Sequence, residues 1–139
     1  MFESVPFFHV RDMAASLRFY EQLGFRVVLR WEPDGQLRWC RLEHGRAALM
    51  LQTFHRPPET RVGVGVSVSF VAKDALALHD AALGRGLAPA QEPFVGNGLW
   101  VVPYVDPDGY RLEVASATEI DEDTTLTEHR GGGRKDPTR

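Results

Sequence analysis

VDPDGYRLEV, residues 105–114, is the stretch of sequence that predicts both the fold and the position of the site. Proline presets φ at the second position of a turn, aspartate bonds its own backbone and glycine accepts a positive φ, so Asp106–Gly109 predicts a tight turn. Strand-like residues flank this turn on both sides, which predicts a β-hairpin. Side chains alternate along a strand, so Arg111 and Glu113 share one face of it. The sequence therefore places a glutamate on a strand face, and the surroundings of Glu113 decide the chemistry.

Length, composition and charge set the broad class. The chain has 139 residues, of which 43% are hydrophobic and 25% charged, with a net charge of −3. These values are ordinary for a globular domain, and no basic cluster interleaves with aromatic residues, so we expect no nucleic-acid partner. The single cysteine, Cys40, excludes an internal disulfide and is interpreted as a small buried hydrophobe. No apolar run approaches the roughly 18 residues of a membrane span, and the first residues lack the pattern of a signal peptide, so we expect a cytoplasmic protein without a membrane partner.

The first half of the chain predicts the element order β-α-β-β-β. A short apolar run at 5–10 is interpreted as a strand, and Asp12 is a helix N-cap for residues 13–23, which recur at helical spacing until Gly24 stops them. Three further strands are predicted, at residues 26–31, 37–42 and 47–52. A polar segment at residues 53–61 is interpreted as a linker.

The second half repeats this order. A strand at 64–71 is followed by a helix at 75–83, a weaker extended piece at 87–93 and the hairpin around Asp106. We interpret the two halves as an internal repeat of about 55 to 60 residues. Residues 118–139 change from an acidic to a basic composition, and from that composition we expect a disordered tail.

The repeat and two motifs resemble a known group of proteins. The segments Val10-Arg-Asp-Met-Ala-Ala-Ser-Leu-Arg-Phe-Tyr20 and Asp106-Pro-Asp-Gly-Tyr-Arg-Leu-Glu113 are similar to those of the vicinal oxygen chelate superfamily. This superfamily includes glyoxalase I, bleomycin resistance proteins, fosfomycin resistance proteins and extradiol dioxygenases. The resemblance, which is to the bleomycin-resistance branch in particular, implies an α+β domain at residues 1–117. Its two paired β-α-β-β-β modules, at about 4–54 and 62–117, would form a curved mixed sheet around a cavity. It also implies a homodimer in which modules of two chains complete each cavity.

The resemblance also implies where a metal ion would be held. In the metal-using branches four strand positions supply ligands, and these fall here at Val5, at Met50, at Val66 or Ser67, and at Glu113. A divalent ion needs about three or four nitrogen or oxygen donors, which valine and methionine do not supply. We therefore expect no metal and no cofactor.

Two polar side chains remain as candidates for catalysis. Glu113 and His9 should both point into the cavity, where either could act as a general base. The alternatives are that Glu113 pairs with Arg111 or His9, and that His9 is a structural histidine. His79, on the second predicted helix, is expected to face water.

Aromatic residues on the predicted strands favour binding over catalysis. Aromatic rings hold flat or cationic ligands by stacking and cation–π contact. Each of these rings could equally fill the core. The expected ligand-binding residues are Phe7, His9, Trp31, Trp39, Met50, Gln52, Trp100, Tyr104, Arg111 and Glu113.

The sequence as a whole predicts a protein that binds and sequesters a small aromatic or cationic molecule without a metal. Two alternatives of another class stay open: a metal-dependent lyase or isomerase of the glyoxalase kind, and a metal-free epimerase-like enzyme with Glu113 or His9 as base.

Overall fold

Eleven elements follow one another in the computed structural model, which describes residues 1–131. The first module consists of β1 (Phe7–Val10), α1 (Met13–Leu23), β2 (Arg26–Trp31), β3 (Trp39–His44) and β4 (Ala47–Thr53). The second consists of β5 (Ser67–Val71), α2 (Ala75–Gly84), β6 (Phe94–Gly96), β7 (Leu99–Val105) and β8 (Arg111–Ala117). A short helix, α3 (Leu126–Gly131), follows. The predicted order of both modules is confirmed.

The strands form two four-stranded sheets with the same topology. Sheet A has the order β1-β4-β3-β2 and sheet B the order β5-β8-β7-β6. In each sheet the first strand pairs in parallel with the last, and the remaining pairs are antiparallel. The equal topology confirms the α+β class and the repeat, with the strands divided between two sheets.

Helix α1 begins and ends where its capping residues predict. The Asp12 carboxylate accepts a hydrogen bond from the Ala15 amide at 3.1 Å, which satisfies one of the free donors of the first turn. Gly24 ends the helix at a φ of 115°. A side chain at this position would also meet the His44 ring, because an added Cβ would lie 2.7 Å from its Cδ2. Glycine is therefore required by the backbone and by the packing.

One core joins the helix-facing sides of the two sheets. Phe19 of α1 meets Tyr104 of β7 edge to face, with 6.5 Å between ring centroids, and the rings of Phe25 and Phe70 lie 5.5 Å apart. Cys40 is completely buried in this core, and burial raises the pKa of its thiol to about 11. The opposite sides of both sheets, which we call the outer faces, are turned away from this core.

The turn Asp106–Gly109 ties the second module to the first. The Asp106 carboxylate accepts the Tyr20 hydroxyl at 2.6 Å and two backbone amides of its own turn, both at 2.9 Å. Asp108 pairs with Arg11 at 2.8 Å. Tyr110 stacks on Phe8 with 4.0 Å between ring centroids. The predicted turn is thus the main polar contact between modules as well as a hairpin.

The predicted disorder from residue 118 onward is wrong for residues 118–131. Leu126 is 8% exposed, and its amide donates to the Pro93 carbonyl at 2.8 Å. The Glu122 carboxylate accepts the amides of Asn97 and Gly98, both at 2.9 Å, in the turn between β6 and β7. The disorder was predicted from the overall acidic composition of the segment. Composition does not show that one apolar residue, Leu126, and one carboxylate, Glu122, attach the segment to the rest of the fold. Residues 132–139 lie outside the described residues.

Two predicted strand positions in the second module are also shifted. β5 begins at Ser67 instead of residue 64. The segment before it packs on the turn Asp106–Gly109, where the Gly63 amide donates to the Asp108 carbonyl at 2.8 Å. The extended piece predicted at 87–93 precedes β6, which pairs at Phe94–Gly96. Within residues 1–131, no helix has the length and apolar character required to cross a bilayer.

Candidate functional site

The outer face of sheet A presents an aromatic row. The strand register places His9 beside Gln52, Gln52 beside Trp39, and Trp39 beside Trp31. Trp31 is 52% exposed, and Trp39 and Gln52 are half-buried. The His9 ring lies between two phenylalanines, with centroid distances of 5.1 Å to Phe7 and 5.5 Å to Phe54. Five of these side chains are therefore aromatic or imidazole rings on one accessible surface.

A second row on the same face combines apolar and charged groups. Phe7 lies beside Met50, Met50 beside Arg41, and Arg41 beside Leu29. Arg41 forms ion pairs with Glu43 at 3.0 Å and with Glu3 at 3.3 Å. Hydrogen bonds from Arg41 to these carboxylates raise the pKa of the guanidinium, so its charge is held and neutralised at the surface.

The aromatic row ends in a hollow of about 500 Å³ at the edge of sheet A. Trp31 and Gln52 line it together with Phe54 and His55 from the segment after β4. On its rim Arg38 pairs with Asp34 at 2.7 Å, which lowers the pKa of that carboxyl. Sequence reasoning missed Phe54 and His55, because it assigned them to a polar linker. Both residues follow the last residue of β4, Thr53, within two positions. This closeness to the strand is the sequence signal that could have identified them.

The outer face of sheet B presents Glu113. The register places it between Ser69 of β5 and Pro103 of β7. Its carboxylate accepts a hydrogen bond from Arg111 Nε at 3.2 Å, and its side chain is 33% exposed. Glu113 is thus paired with Arg111 on a half-exposed surface, one of the two partners that the sequence proposed. His9 lies on the outer face of the other sheet, so the single chain does not bring the two candidate bases together.

Trp100 and Tyr104 do not lie with the other candidates. They occupy the helix-facing side of β7 and are 5% and 1% exposed. Trp100 contacts His129 at a centroid distance of 5.2 Å, and burial raises the pKa of Tyr104 to about 12. The residues of β7 are apolar on both faces of the strand, so the alternation of side chains did not show which face these rings take. They belong to the core, and we correct their assignment to the ligand surface.

The sequence of the chain matches a family profile over most of its folded part. The profile describes the Glyoxalase/Bleomycin resistance protein/Dioxygenase superfamily and matches residues 7–114. The chain belongs to this superfamily. The match covers both modules and confirms the resemblance that the two motifs indicated. No curated protein sequence matches the chain significantly.

Solved structures of superfamily members share the fold. A glyoxalase/bleomycin resistance protein from Catenulispora acidiphila has a TM-score of 0.67 at 21% identity, with 84% of this chain and 99% of that chain covered. A bleomycin resistance determinant encoded on the transposon Tn5 has a TM-score of 0.67 at 23% identity, with 86% and 100% covered. A bleomycin-binding protein complexed with bleomycin has a TM-score of 0.61 at 21% identity, with 86% and 100% covered. At these identities the likeness concerns the fold.

The residues at the superfamily's metal positions do not fit a divalent ion. Val5, Met50 and Val66 offer no hard donor, and Ser67, the alternative to Val66, pairs in register with Arg111 instead of Glu113. Between residues 1 and 131, no three His, Cys, Asp or Glu side chains lie close enough together to hold a metal ion. Of the superfamily's metal positions, only that of Glu113 carries a carboxylate, and this carboxylate is paired with Arg111.

Proposed function

We propose that the protein binds and sequesters a planar aromatic small molecule, preferably a cationic one, without a metal ion. The observation that supports this most strongly is the row of accessible rings on sheet A, which His9, Trp39 and Trp31 form along one register line. A flat ligand gains area and favourable ring geometry on such a row. A cation over an exposed indole gains a further attraction of about 0.5–1 kcal/mol.

A ligand on this surface needs a second wall. Small-molecule sites commonly cover about 70–90% of their ligand, whereas the ring row of sheet A is open to solvent on one side in the single chain. The outer face of sheet B offers a complementary feature, the half-exposed carboxylate of Glu113 beside the exposed Ser69. We therefore place the ligand between sheet A of one protomer and a second copy of the chain, in a homodimer. In that arrangement Glu113 would face the ligand with its Oε1, because Arg111 Nε holds the other oxygen, Oε2.

The ligand that we propose is a bleomycin-like drug. A bleomycin-binding protein and a bleomycin resistance determinant share this fold. Such a protein lowers the free concentration of the drug and breaks no bond. The lone, paired carboxylate supports binding over proton abstraction, because its ionised form already has a partner in Arg111.

Quenching of tryptophan fluorescence tests the binding proposal. The chain has three tryptophans, and Trp100 is buried, so a ligand on sheet A should quench mainly Trp31 and Trp39. We expect bleomycin or another planar cationic drug to quench the natural protein saturably. The double variant Trp31→Phe, Trp39→Phe should retain the Trp100 emission and lose the response. Equal quenching in that variant, or no saturable response across a panel of planar cations, contradicts the proposal.

Elemental analysis tests metal independence. Protein purified without chelator should contain less than stoichiometric zinc, nickel, iron or manganese, and drug binding should survive treatment with EDTA. Stoichiometric metal that is lost in the Glu113→Gln variant would instead support a lyase or isomerase of the glyoxalase kind. The Glu59→Gln variant is the matched control, because Glu59 is an exposed loop carboxylate.

A further inference from the structure

A second cleft opens between the two modules, on the helix-facing side of the sheets. It has a volume of about 660 Å³, which falls within the range of small-molecule sites. On one wall lie the end of α1 and the turn between β3 and β4. On the other wall lie the end of β5 and the first turns of α2. The ring row of sheet A is on the opposite side of its sheet, so the two surfaces are separate.

The walls of this cleft are apolar. Leu23 and Phe25 come from the first module, and Phe70, Leu78 and Val114 from the second. The rings of Phe25 and Phe70 lie 5.5 Å apart across the module boundary, and Phe70 and Leu78 remain partly exposed. An aliphatic chain that enters here removes apolar surface from water, which favours binding.

The rim of the cleft is cationic. Arg46, in the turn between β3 and β4, and Lys73, just before α2, line it with exposed side chains. Among the described residues neither forms an ion pair with a carboxylate. The one acidic residue of the lining, Asp74, is engaged as the N-cap of α2, where its carboxylate accepts the Ala77 amide at 3.0 Å. The rim therefore carries two positive charges against one negative charge, and the helix cap holds that carboxylate at the start of α2.

We propose that this inter-module cleft binds an amphipathic monocarboxylate of the fatty-acid type. The aliphatic chain lies against Phe25, Phe70 and Leu78, and the carboxylate lies at the rim beside Arg46 and Lys73. The charge at the rim selects an anion, and the apolar walls select against a small hydrophilic one. This ligand class differs from the planar cation proposed for the outer faces.

Isothermal titration of the full-length protein with decanoate tests this site. The natural protein should bind decanoate, and decylamine, with the same chain and the opposite charge, should bind at least tenfold more weakly. The double variant Arg46→Glu, Lys73→Glu should raise the dissociation constant for decanoate at least tenfold. Its matched control is Arg18→Glu, Arg56→Glu, which makes the same charge change at exposed positions away from the cleft and should leave the constant unchanged.

Ala77→Trp tests the same site by steric blocking. Ala77 is exposed on α2, and its contribution to the helix cap is made by the backbone amide, so the substitution preserves that bond. We expect it to abolish decanoate binding while a planar cation still binds sheet A with unchanged affinity. For that comparison the drug is titrated by calorimetry, because the new indole adds its own fluorescence.

Three results overturn the proposal. The first is no heat at millimolar decanoate, and the second is equal affinity in the charge-reversal pair and its control. The third is a change from dimer to monomer in the Ala77→Trp variant by sedimentation velocity, which would show that a second copy of the chain covers the cleft. If the natural protein bound decanoate but no planar cationic drug, the proposed function would be contradicted and this inference would stand.

Discussion

At the scale of single residues, the Asp106 carboxylate is the best-satisfied polar group of the module boundary. It accepts two backbone amides and the Tyr20 hydroxyl, and it is 1% exposed. Burial raises the pKa of Asp106, whereas these three hydrogen bonds oppose the change. The donors are thus what keeps a buried acid compatible with the fold.

Removing the Tyr20 hydroxyl should therefore destabilise the protein. We expect Tyr20→Phe to lower the free energy of unfolding by about 1–3 kcal/mol, because a buried acceptor loses its partner. Urea denaturation followed by circular dichroism measures this loss. Tyr110→Phe is the matched control: its hydroxyl donates to the His9 carbonyl at 3.1 Å in a partly buried position, where water can replace it. A loss in Tyr110→Phe as large as in Tyr20→Phe would contradict this account.

At the scale of elements, local signals predicted some positions and failed at others. Helix α1 was predicted at its bounds because Asp12 and Gly24 act through the backbone beside them. The side that Trp100 takes on β7 depends on which sheet face meets the helices, and an apolar strand contains no such information. The order at 118–131 depends on Leu126 reaching a site more than 30 residues upstream, which is a tertiary contact. Helix caps depend on neighbouring residues in the sequence, whereas the face that a strand residue takes and the contact of Leu126 depend on tertiary packing.

His79 makes the packing of α3 sensitive to acid. It was expected to face water, but it is 5% exposed, and its Nδ1 has no hydrogen-bond partner among the described residues. Burial lowers the pKa of His79 from its ordinary value of 6.5; nearby Asp80 acts to raise it and Arg130 to lower it. A depressed pKa in the folded state contributes stability above pH 6.5, which is lost as the pH falls through the folded value.

We therefore expect the urea midpoint to fall between pH 8 and pH 5, and to fall less in His79→Leu, which cannot be protonated. The measurement is urea denaturation at both values of pH. His55→Leu, an exposed histidine, is the matched control and should retain the full fall of the natural protein. If both variants show the same dependence on pH as the natural protein, burial of His79 is not its source.

At the scale of the whole molecule, the shared core leaves the outer face of sheet A open to solvent, together with the part of sheet B around Ser69 and Glu113. The alternation of Arg111 and Glu113 and the face that His9 takes could be predicted from strand periodicity, whereas the face of Trp31 and Trp39 was left open. Which faces remain open to solvent could not be predicted, because that depends on how two complete modules pack. The proposed homodimer follows from these open faces, and it predicts that binding and association depend on the same surface.

Met50→Arg tests that dependence, because Met50 lies at the centre of the outer face of sheet A, between Phe7 and Arg41. A second positive charge beside Arg41 opposes burial of this face, so sedimentation velocity should show a shift from dimer to monomer. Affinity for a planar cationic drug should fall at least tenfold in the same variant, whereas decanoate should bind the cleft as before. Ala14→Arg, an exposed change on α1, is the control and should remain dimeric. A monomeric natural protein that binds the drug fully would show that one outer face suffices, and the second wall would have to come from the segment after β4 that contains Phe54 and His55.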